Sequence, residues 1–161
     1  MKLITIKIIL LLNIPLQGQH VESFLLSHGV KAKVEIINIS EQLILGNQNV
    51  YFKKLERAFL NNDNKHVHIL TSPFIDSLNE ENMLGLTRGR LSMSVWNDVN
   101  SAGQEREIQS WVAMLHELGH QFGLNHTTGC KDVMDAAAMA CPNVEQLTFS
   151  KSQLKVIRAA Q

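Results

Sequence analysis

The sequence lacks an excess of charge of either sign. Its 15 lysines and arginines balance 15 aspartates and glutamates, so the formal net charge is zero at pH 7. Binding to nucleic acid or to an anionic membrane surface usually depends on a basic patch, and this composition does not favour one. We therefore expect neither nucleic acid nor a membrane among the partners of this chain.

Long hydrophobic runs are also missing. The apolar run Ile8 to Leu12 is far too short to span a bilayer. It could belong to a signal peptide, but Lys7 interrupts the apolar segment and no Ala-x-Ala cleavage site follows. Isoleucine- and leucine-rich residues ahead of Pro15 are also typical of a buried first strand, which we favour. The strand interpretation predicts a cytoplasmic protein, whereas a signal peptide would predict a secreted one.

Cysteine is scarce, with 2 residues in 161. Two cysteines cannot form the disulfide framework on which small secreted domains depend. Cys130 and Cys141 could pair in an oxidising compartment, but without a clear export signal we expect two free thiols. A chain of this length, with 45% hydrophobic residues, can bury its own core and corresponds to one domain.

The spacing of apolar residues predicts a chain that mixes strands and helices. The predicted elements are strands over residues 4–12, 32–39 and 66–71, helices over 20–27, 48–61, 102–122 and 150–160, and a hairpin over 85–96 that turns at Arg88 and Gly89. Ser101 and Gln104 form a candidate capping box at the start of the helix over 102–122. This order of elements predicts a twisted sheet backed by two helices.

The stretch HELGHQFGLNH, which begins at His116, carries most of the functional information. His116 and His120 are four residues apart, so a helix places both imidazoles on one face, where they can share one Zn²⁺. Gly123 can adopt a positive φ, end the helix and return the chain so that His126 becomes a third ligand. Three protein ligands leave a fourth position open for water, which is typical of catalytic zinc sites. Glu117 projects from the same turn and can reach that water.

A simpler interpretation is a surface helix with solvated histidines. The glycine and the third histidine at matching offsets favour the metal site. His66 and His68, two residues apart on a predicted strand, could also bind metal. We expect them instead to face solvent or to make hydrogen bonds.

The histidine stretch, followed closely by Met134 in the segment KDVMD, resembles the signature of the metzincin clan of zinc peptidases. That signature is HExxHxxGxxH followed by a methionine turn. The resemblance implies that Met134 forms a hydrophobic floor beneath the zinc, while Gly123 supports the turn between the second and third ligands. Taken alone, Met134 could equally fill a gap in the core.

Within the clan, the chain is most similar to archaemetzincins, which are compact domains. Residues 84–95, LGLTRGRLSMSV, resemble the strand pair ahead of their zinc helix. The resemblance implies an α+β (α/β-like) fold, with a metzincin-type twisted mixed sheet, an antiparallel edge strand and two backing helices including the zinc helix. A small C-terminal subdomain with the Met turn and a final helix would follow. We expect one catalytic domain over 1–161, divided into 1–123 and 124–161.

The chain departs from archaemetzincins in its cysteines, and the C-terminal cysteine pair of those proteins is absent. Thr127 and Asp132 stand where those proteins carry cysteines that help to hold a second, structural zinc. Ala136 follows the Met turn where a family tyrosine ligand would stand, and the sequence has a single tyrosine, Tyr51. We therefore expect one zinc per chain, no four-cysteine site and no tyrosine ligand. A threonine after the third histidine is also similar to the pattern of matrixins.

The motif and the resemblance together predict a zinc-dependent metallopeptidase with a single catalytic Zn²⁺. Glu117 would act as general base and then as general acid. We expect a monomer that acts on a peptide or protein substrate, which would pair with the edge strand at Gly85, Leu86 and Thr87. Two alternatives stay open. One is a non-catalytic zinc-binding module that interacts with a partner, and the other is a secreted matrixin-like protease with a Cys130–Cys141 disulfide.

Overall fold

A computed structural model describes residues 3–11, 16–39, 48–60, 66–71, 85–96 and 104–160. The strands are β1 (Ile4–Leu10), β2 (Ala32–Asn38), β3 (His66–Thr71), β4 (Gly85–Arg88) and β5 (Leu91–Val95). The helices are α1 (Gly18–Ser27), α2 (Gln48–Phe59), α3 (Gln104–Gln121) and α4 (Lys151–Ala159), with short 3₁₀ turns at Ala138–Ala140 and Val144–Gln146. The candidate capping box at Ser101 and the end of the first predicted strand at Leu12 lie outside the described residues.

The five strands form one sheet in the order β2-β1-β3-β5-β4. All neighbouring pairs are parallel except β4 and β5, so β4 is an antiparallel edge strand, as expected. The apolar residues Ile8 to Leu10 belong to β1, which pairs with a strand on each side, and this confirms the strand prediction. The predicted hairpin turn is wrong by one residue, because Arg88 still pairs with Leu91 and the chain reverses at Gly89 and Arg90.

Helices cover both faces of the sheet. On one face, α1 and α3 enclose the main core, in which the side chains of Leu25 and Leu115 are buried with those of Ile6 and Ile8. Each such side chain contributes about 1.5–3 kcal/mol when it is fully removed from water. On the other face, Leu55 of α2 joins a smaller cluster from β1, β3 and β5. The expected sheet with backing helices is therefore confirmed, and α2 adds partial cover on the opposite face.

The residues after Gly123 form a compact unit of turns that ends in α4. This helix begins with a capping box, in which Ser150 Oγ accepts a hydrogen bond from the Gln153 backbone N–H and Gln153 Oε1 accepts one from the Ser150 N–H. Cys130 and Cys141 are joined in a disulfide, so the expectation of two free thiols is wrong. The fold of the turns brings the two sulfurs together, which composition alone could not indicate. No helix among the described residues is long and apolar enough to cross a membrane.

Candidate metal centre

The centre begins at the C-terminus of α3, where Gly123 ends the helix. Gly123 has a φ of +87°, a left-handed conformation that glycine adopts without steric cost. Its N–H donates to the His120 carbonyl at 3.0 Å, and the Leu124 N–H donates to the Gly119 carbonyl at 3.1 Å. These two bonds form a Schellman motif, which satisfies the last carbonyls of the helix. The chain then turns back toward α3 at His126, as the sequence predicts.

The three histidines of the motif converge on one point. The Nε2 atoms of His116 and His126 are 3.1 Å apart, those of His120 and His116 are 3.2 Å apart, and those of His120 and His126 are 3.0 Å apart. A tetrahedral zinc with Zn–N bonds of about 2.0–2.1 Å separates its nitrogen ligands by roughly 3.3 Å. The triangle of nitrogens therefore has nearly the dimensions of one face of a zinc coordination tetrahedron.

Backbone carbonyls fix the tautomers of two of these rings. His116 Nδ1 lies 2.7 Å from the Val133 carbonyl, and His120 Nδ1 lies 2.8 Å from the Leu124 carbonyl. Because a carbonyl can only accept, each Nδ1 carries the hydrogen and each Nε2 presents a lone pair. Lone pairs that face one another repel unless a cation lies between them, so this donor set fits a metal ion.

Burial favours the neutral imidazoles that metal binding requires. It lowers the pKa of His116 to about 4 and also lowers the pKa of His120. The carbonyls of Val133 and Leu124 could not be recognised from the sequence as partners of these two rings. Backbone atoms carry no residue-type signature, so only the fold could reveal them.

Met134 is fully buried and packs against α3 at Gly119. A Cβ atom at position 119 would overlap the Met134 Sδ and would lie 3.1 Å from Phe149 Cε1. Glycine at 119 therefore allows the Met turn to approach α3 closely. The sequence offered one signal for this, a glycine inside an otherwise strongly helical segment, which costs helix stability and so needs a packing reason.

The carboxylate of Asp132 organises the turn that carries Met134. Its Oδ1 accepts hydrogen bonds from Thr127 Oγ1 at 2.8 Å, from the Met134 N–H at 2.9 Å and from Gln153 Nε2 at 3.0 Å. The Thr127 N–H also donates to the Met134 carbonyl at 2.9 Å. Thr127 and Asp132 are thus linked to each other by a hydrogen bond between their side chains.

Asp135 connects the Met turn to the disulfide. Its carboxylate accepts hydrogen bonds from the backbone N–H groups of Ala137 at 2.8 Å and Cys130 at 2.7 Å, and these two bonds lower its pKa. Ligand-type atoms of Cys130, Asp135 and Cys141 lie within 4.8 Å of one another. Because the two sulfurs are bonded to each other in a disulfide, this cluster is a structural link between the Met turn and the disulfide.

The side chain of Glu117 points from α3 toward the edge strand β4. Thr87 Oγ1 lies 2.5 Å from Glu117 Oε2 and 3.0 Å from the Glu117 carbonyl oxygen. A Cβ atom at Gly85 would lie 2.5 Å from Glu117 Oε1. Burial raises the pKa of Glu117 to about 7, and the hydrogen bond from Thr87 opposes that rise. Leu86 packs on the opposite face of the sheet.

His66 and His68 belong to a buried polar network and lie outside the histidine triad. His66 Nδ1 donates to Gln121 Oε1 at 2.9 Å, and Gln121 Nε2 donates to Ser92 Oγ at 2.6 Å. His68 lies between two serine hydroxyls, with Nδ1 at 2.5 Å from Ser92 Oγ and Nε2 at 2.8 Å from Ser94 Oγ. The expectation that these histidines make hydrogen bonds is confirmed. The network ties the last turn of α3 to β3 and β5.

Comparisons with known proteins bear on the fold. No protein-family model matches the sequence, and no curated protein matches it. Archaemetzincin from Methanopyrus kandleri has a similar structure, with a TM-score of 0.73 over 98% of this chain and 95% of that chain at 16% identity. Archaemetzincin from Archaeoglobus fulgidus, solved in complex with malonate, has a TM-score of 0.62. The match covers 95% of this chain and 99% of that chain at 17% identity.

A third solved structure is a zinc-dependent peptidase from Methanocorpusculum labreanum. It gives a TM-score of 0.55 over 96% of this chain and 98% of that chain at 14% identity. These similarities extend over nearly the whole of each chain, whereas the sequence motifs cover a short part of it. The resemblance to archaemetzincins is therefore confirmed at the level of the fold.

Proposed function

We propose that this chain is a zinc-dependent metallopeptidase in which His116, His120 and His126 hold one catalytic Zn²⁺. The convergence of three Nε2 atoms at 3.0–3.2 Å, two of them on rings oriented by backbone carbonyls, carries the proposal. The similar solved structures include one described as a zinc-dependent peptidase, which supports the same chemistry. A bound Zn²⁺ would supply a water of lowered pKa and would polarise the substrate carbonyl.

Glu117 is the group that moves protons in this proposal. It accepts a proton from the attacking water and then delivers it to the amine of the leaving peptide. Its position next to His116 and its burial suit this role, since a carboxyl group with a pKa of about 7 can both accept and donate near neutral pH. Gly123 and Met134 support the site through the turn after α3 and the floor beneath it.

The edge strand β4 offers a backbone surface for an extended peptide. Residues Gly85–Arg88 pair with β5 on one side, and β4 is the last strand of the sheet among the described residues. A peptide or protein substrate that adds beside Gly85, Leu86 and Thr87 would pass next to Glu117. We propose that residues 1–161 act as a single catalytic domain, monomeric, with residues 124–161 completing the metal centre.

The test compares the wild type with Glu117→Ala on a mixed peptide library, with zinc content measured on both proteins. We expect cleavage by the wild type and none by a variant that still binds zinc. Equal cleavage by both proteins would rule out the role of Glu117. A zinc-loaded wild type that cleaves nothing would favour the alternative of a non-catalytic zinc-binding module.

A further inference from the structure

We propose that Thr87 is a positioning residue for the Glu117 carboxylate and that Gly85 provides the space in which this carboxylate lies. The inference rests on the proposed function, because positioning matters only if Glu117 transfers protons. In this arrangement the side-chain positions of Gly85 and Thr87 face Glu117, and the backbone edge of β4 stays available for substrate.

The Thr87 hydroxyl has two acceptors on the same residue of α3. It lies 2.5 Å from Glu117 Oε2 and 3.0 Å from the Glu117 carbonyl oxygen. A hydroxyl has one hydrogen to donate and lone pairs with which to accept. Toward an ionised Glu117, the hydroxyl donates to Oε2 in a charge-assisted bond. This bond fixes one carboxylate oxygen and leaves the other, Oε1, to exchange a proton.

The same geometry serves the protonated state. When Glu117 has accepted a proton on Oε1, Oε2 is the carbonyl oxygen of the carboxylic acid and still accepts the hydrogen bond from the Thr87 hydroxyl, which can also rotate to donate to the Glu117 backbone carbonyl. The carboxyl group then keeps its position through both halves of a proton transfer.

Gly85 contributes through the absence of a side chain. A Cβ atom there would lie 2.5 Å from both Cγ and Oε1 of Glu117, far inside van der Waals contact. Gly85 is not among the glycines with a positive φ, so an alanine would not strain the backbone. The cost of a larger residue would fall on the flexible end of Glu117, and the carboxylate would have to move.

Successive side chains of β4 point to opposite faces of the sheet, so only every second residue of this strand can contact Glu117. Side chains at 85 and 87 lie on the face toward α3, and the side chain of Leu86 between them packs with the cluster on the opposite face. The two residues that contact Glu117 are therefore placed by the period of the strand.

The kinetic test compares Thr87→Val, which keeps the shape and removes the hydroxyl, with Thr87→Ser, which restores it. We expect Thr87→Val to lower kcat by roughly 10- to 100-fold with little change in KM and with zinc content unchanged. Thr87→Ser should return most of the lost activity. Valine is favourable in strands, and Thr5→Val on β1 is a matched control that should leave kcat unchanged. A Thr87→Val variant with wild-type kcat, or a serine variant as slow as valine, would overturn the inference.

A second readout does not depend on activity. The effect of Thr87→Val on the unfolding equilibrium is measured in the wild type and in the Glu117→Ala background, with both proteins zinc-free. If Glu117 is the partner, Thr87→Val raises the unfolding equilibrium constant by a factor that is about tenfold larger in the wild-type background than in the Glu117→Ala background. This difference is expected for the loss of a charge-assisted hydrogen bond. Equal losses would overturn the inference. If the wild type cleaves nothing while this coupling is present, the proposed function fails and the contact stands.

Discussion

Gly119 of α3 lies directly against Met134 of the Met turn, at a distance that leaves no room for a Cβ atom. The residue before Met134 is Val133, whose carbonyl accepts the hydrogen bond from His116 Nδ1 at 2.7 Å. The close approach therefore links the packing of the C-terminal turns to the orientation of a proposed metal ligand. A change at position 119 should therefore alter both the free energy of unfolding and the affinity for zinc.

Gly119→Ala should destabilise the fold by about 1–3 kcal/mol through overpacking, offset by about 1 kcal/mol of improved helix propensity. Zinc affinity should fall, because displacement of Met134 also displaces the Val133 carbonyl. Denaturant unfolding and competition with a chelator measure the two effects. The double variant Gly119→Ala/Met134→Ala is the control, and it should lose less stability than the sum of the single variants. Strict additivity would contradict the proposed contact.

Stability should depend on pH through His68. Burial lowers the pKa of His68 in the folded state to about 3, against 6.5 in the unfolded chain. As pH falls, the unfolded state therefore takes up a proton at His68 before the folded state does. The contribution of His68 to the free energy of unfolding is present above pH 6.5 and is lost as pH falls toward 3. At pH 5 the loss is about 2 kcal/mol.

The measurement compares denaturant unfolding at pH 7 and pH 5 for zinc-free wild type and His68→Gln. Both proteins share the titration of His116 and His120, so the difference between them reports His68. The wild type should lose about 2 kcal/mol more than the variant between the two pH values. The same loss in both proteins would show that His68 does not carry this dependence.

Removal of Asp132 should be costly because one carboxylate oxygen accepts three hydrogen bonds. Asp132→Ala leaves those buried donors without their partner, and we expect a loss of about 3 kcal/mol by denaturant unfolding. Asp132→Asn keeps an acceptor oxygen and should lose less than half of that. Equal losses in the two variants would contradict this account, because asparagine keeps both the size of the side chain and the acceptor oxygen, whereas alanine keeps neither.

The disulfide between Cys130 and Cys141 closes a short loop, with a sequence separation of 11. Thiol titration of the unreduced, unfolded protein should find no free thiol. Cys130→Ser/Cys141→Ser should unfold about 2–3 kcal/mol more easily, and addition of reductant should bring the wild type to the same stability. Two free thiols in protein purified without reductant would support the cytoplasmic interpretation, since disulfides persist in oxidising compartments.

Local patterns were sufficient to predict much of the architecture. The strands β1 and β3, the zinc-helix motif and the turn at Gly123 follow from apolar spacing and from the offsets between His116, His120 and His126. The same offsets predicted that three imidazoles would meet. Such features depend on residues close together in sequence, where the geometry of a helix or strand fixes the outcome.

The rest depends on contacts between distant segments. The bond from Thr87 to Glu117 joins residues 30 positions apart, and the partners of two ligand histidines are backbone carbonyls without a residue signature. The pairing of Cys130 with Cys141 depends on the path of the turns between them, which residue types alone do not specify. The hairpin turn was misplaced by one residue because Arg88 is compatible with either a strand or a turn.

The central claim is that three histidines and Glu117 form a zinc-dependent hydrolytic site. It is tested most directly by the rate of peptide cleavage as zinc is added back to metal-free protein. The account predicts that the rate rises until one zinc is bound per chain and then levels off, and that Glu117→Ala binds the same amount of zinc without cleaving. Cleavage that is insensitive to zinc, or that continues to rise as a second tightly held zinc binds, would contradict it.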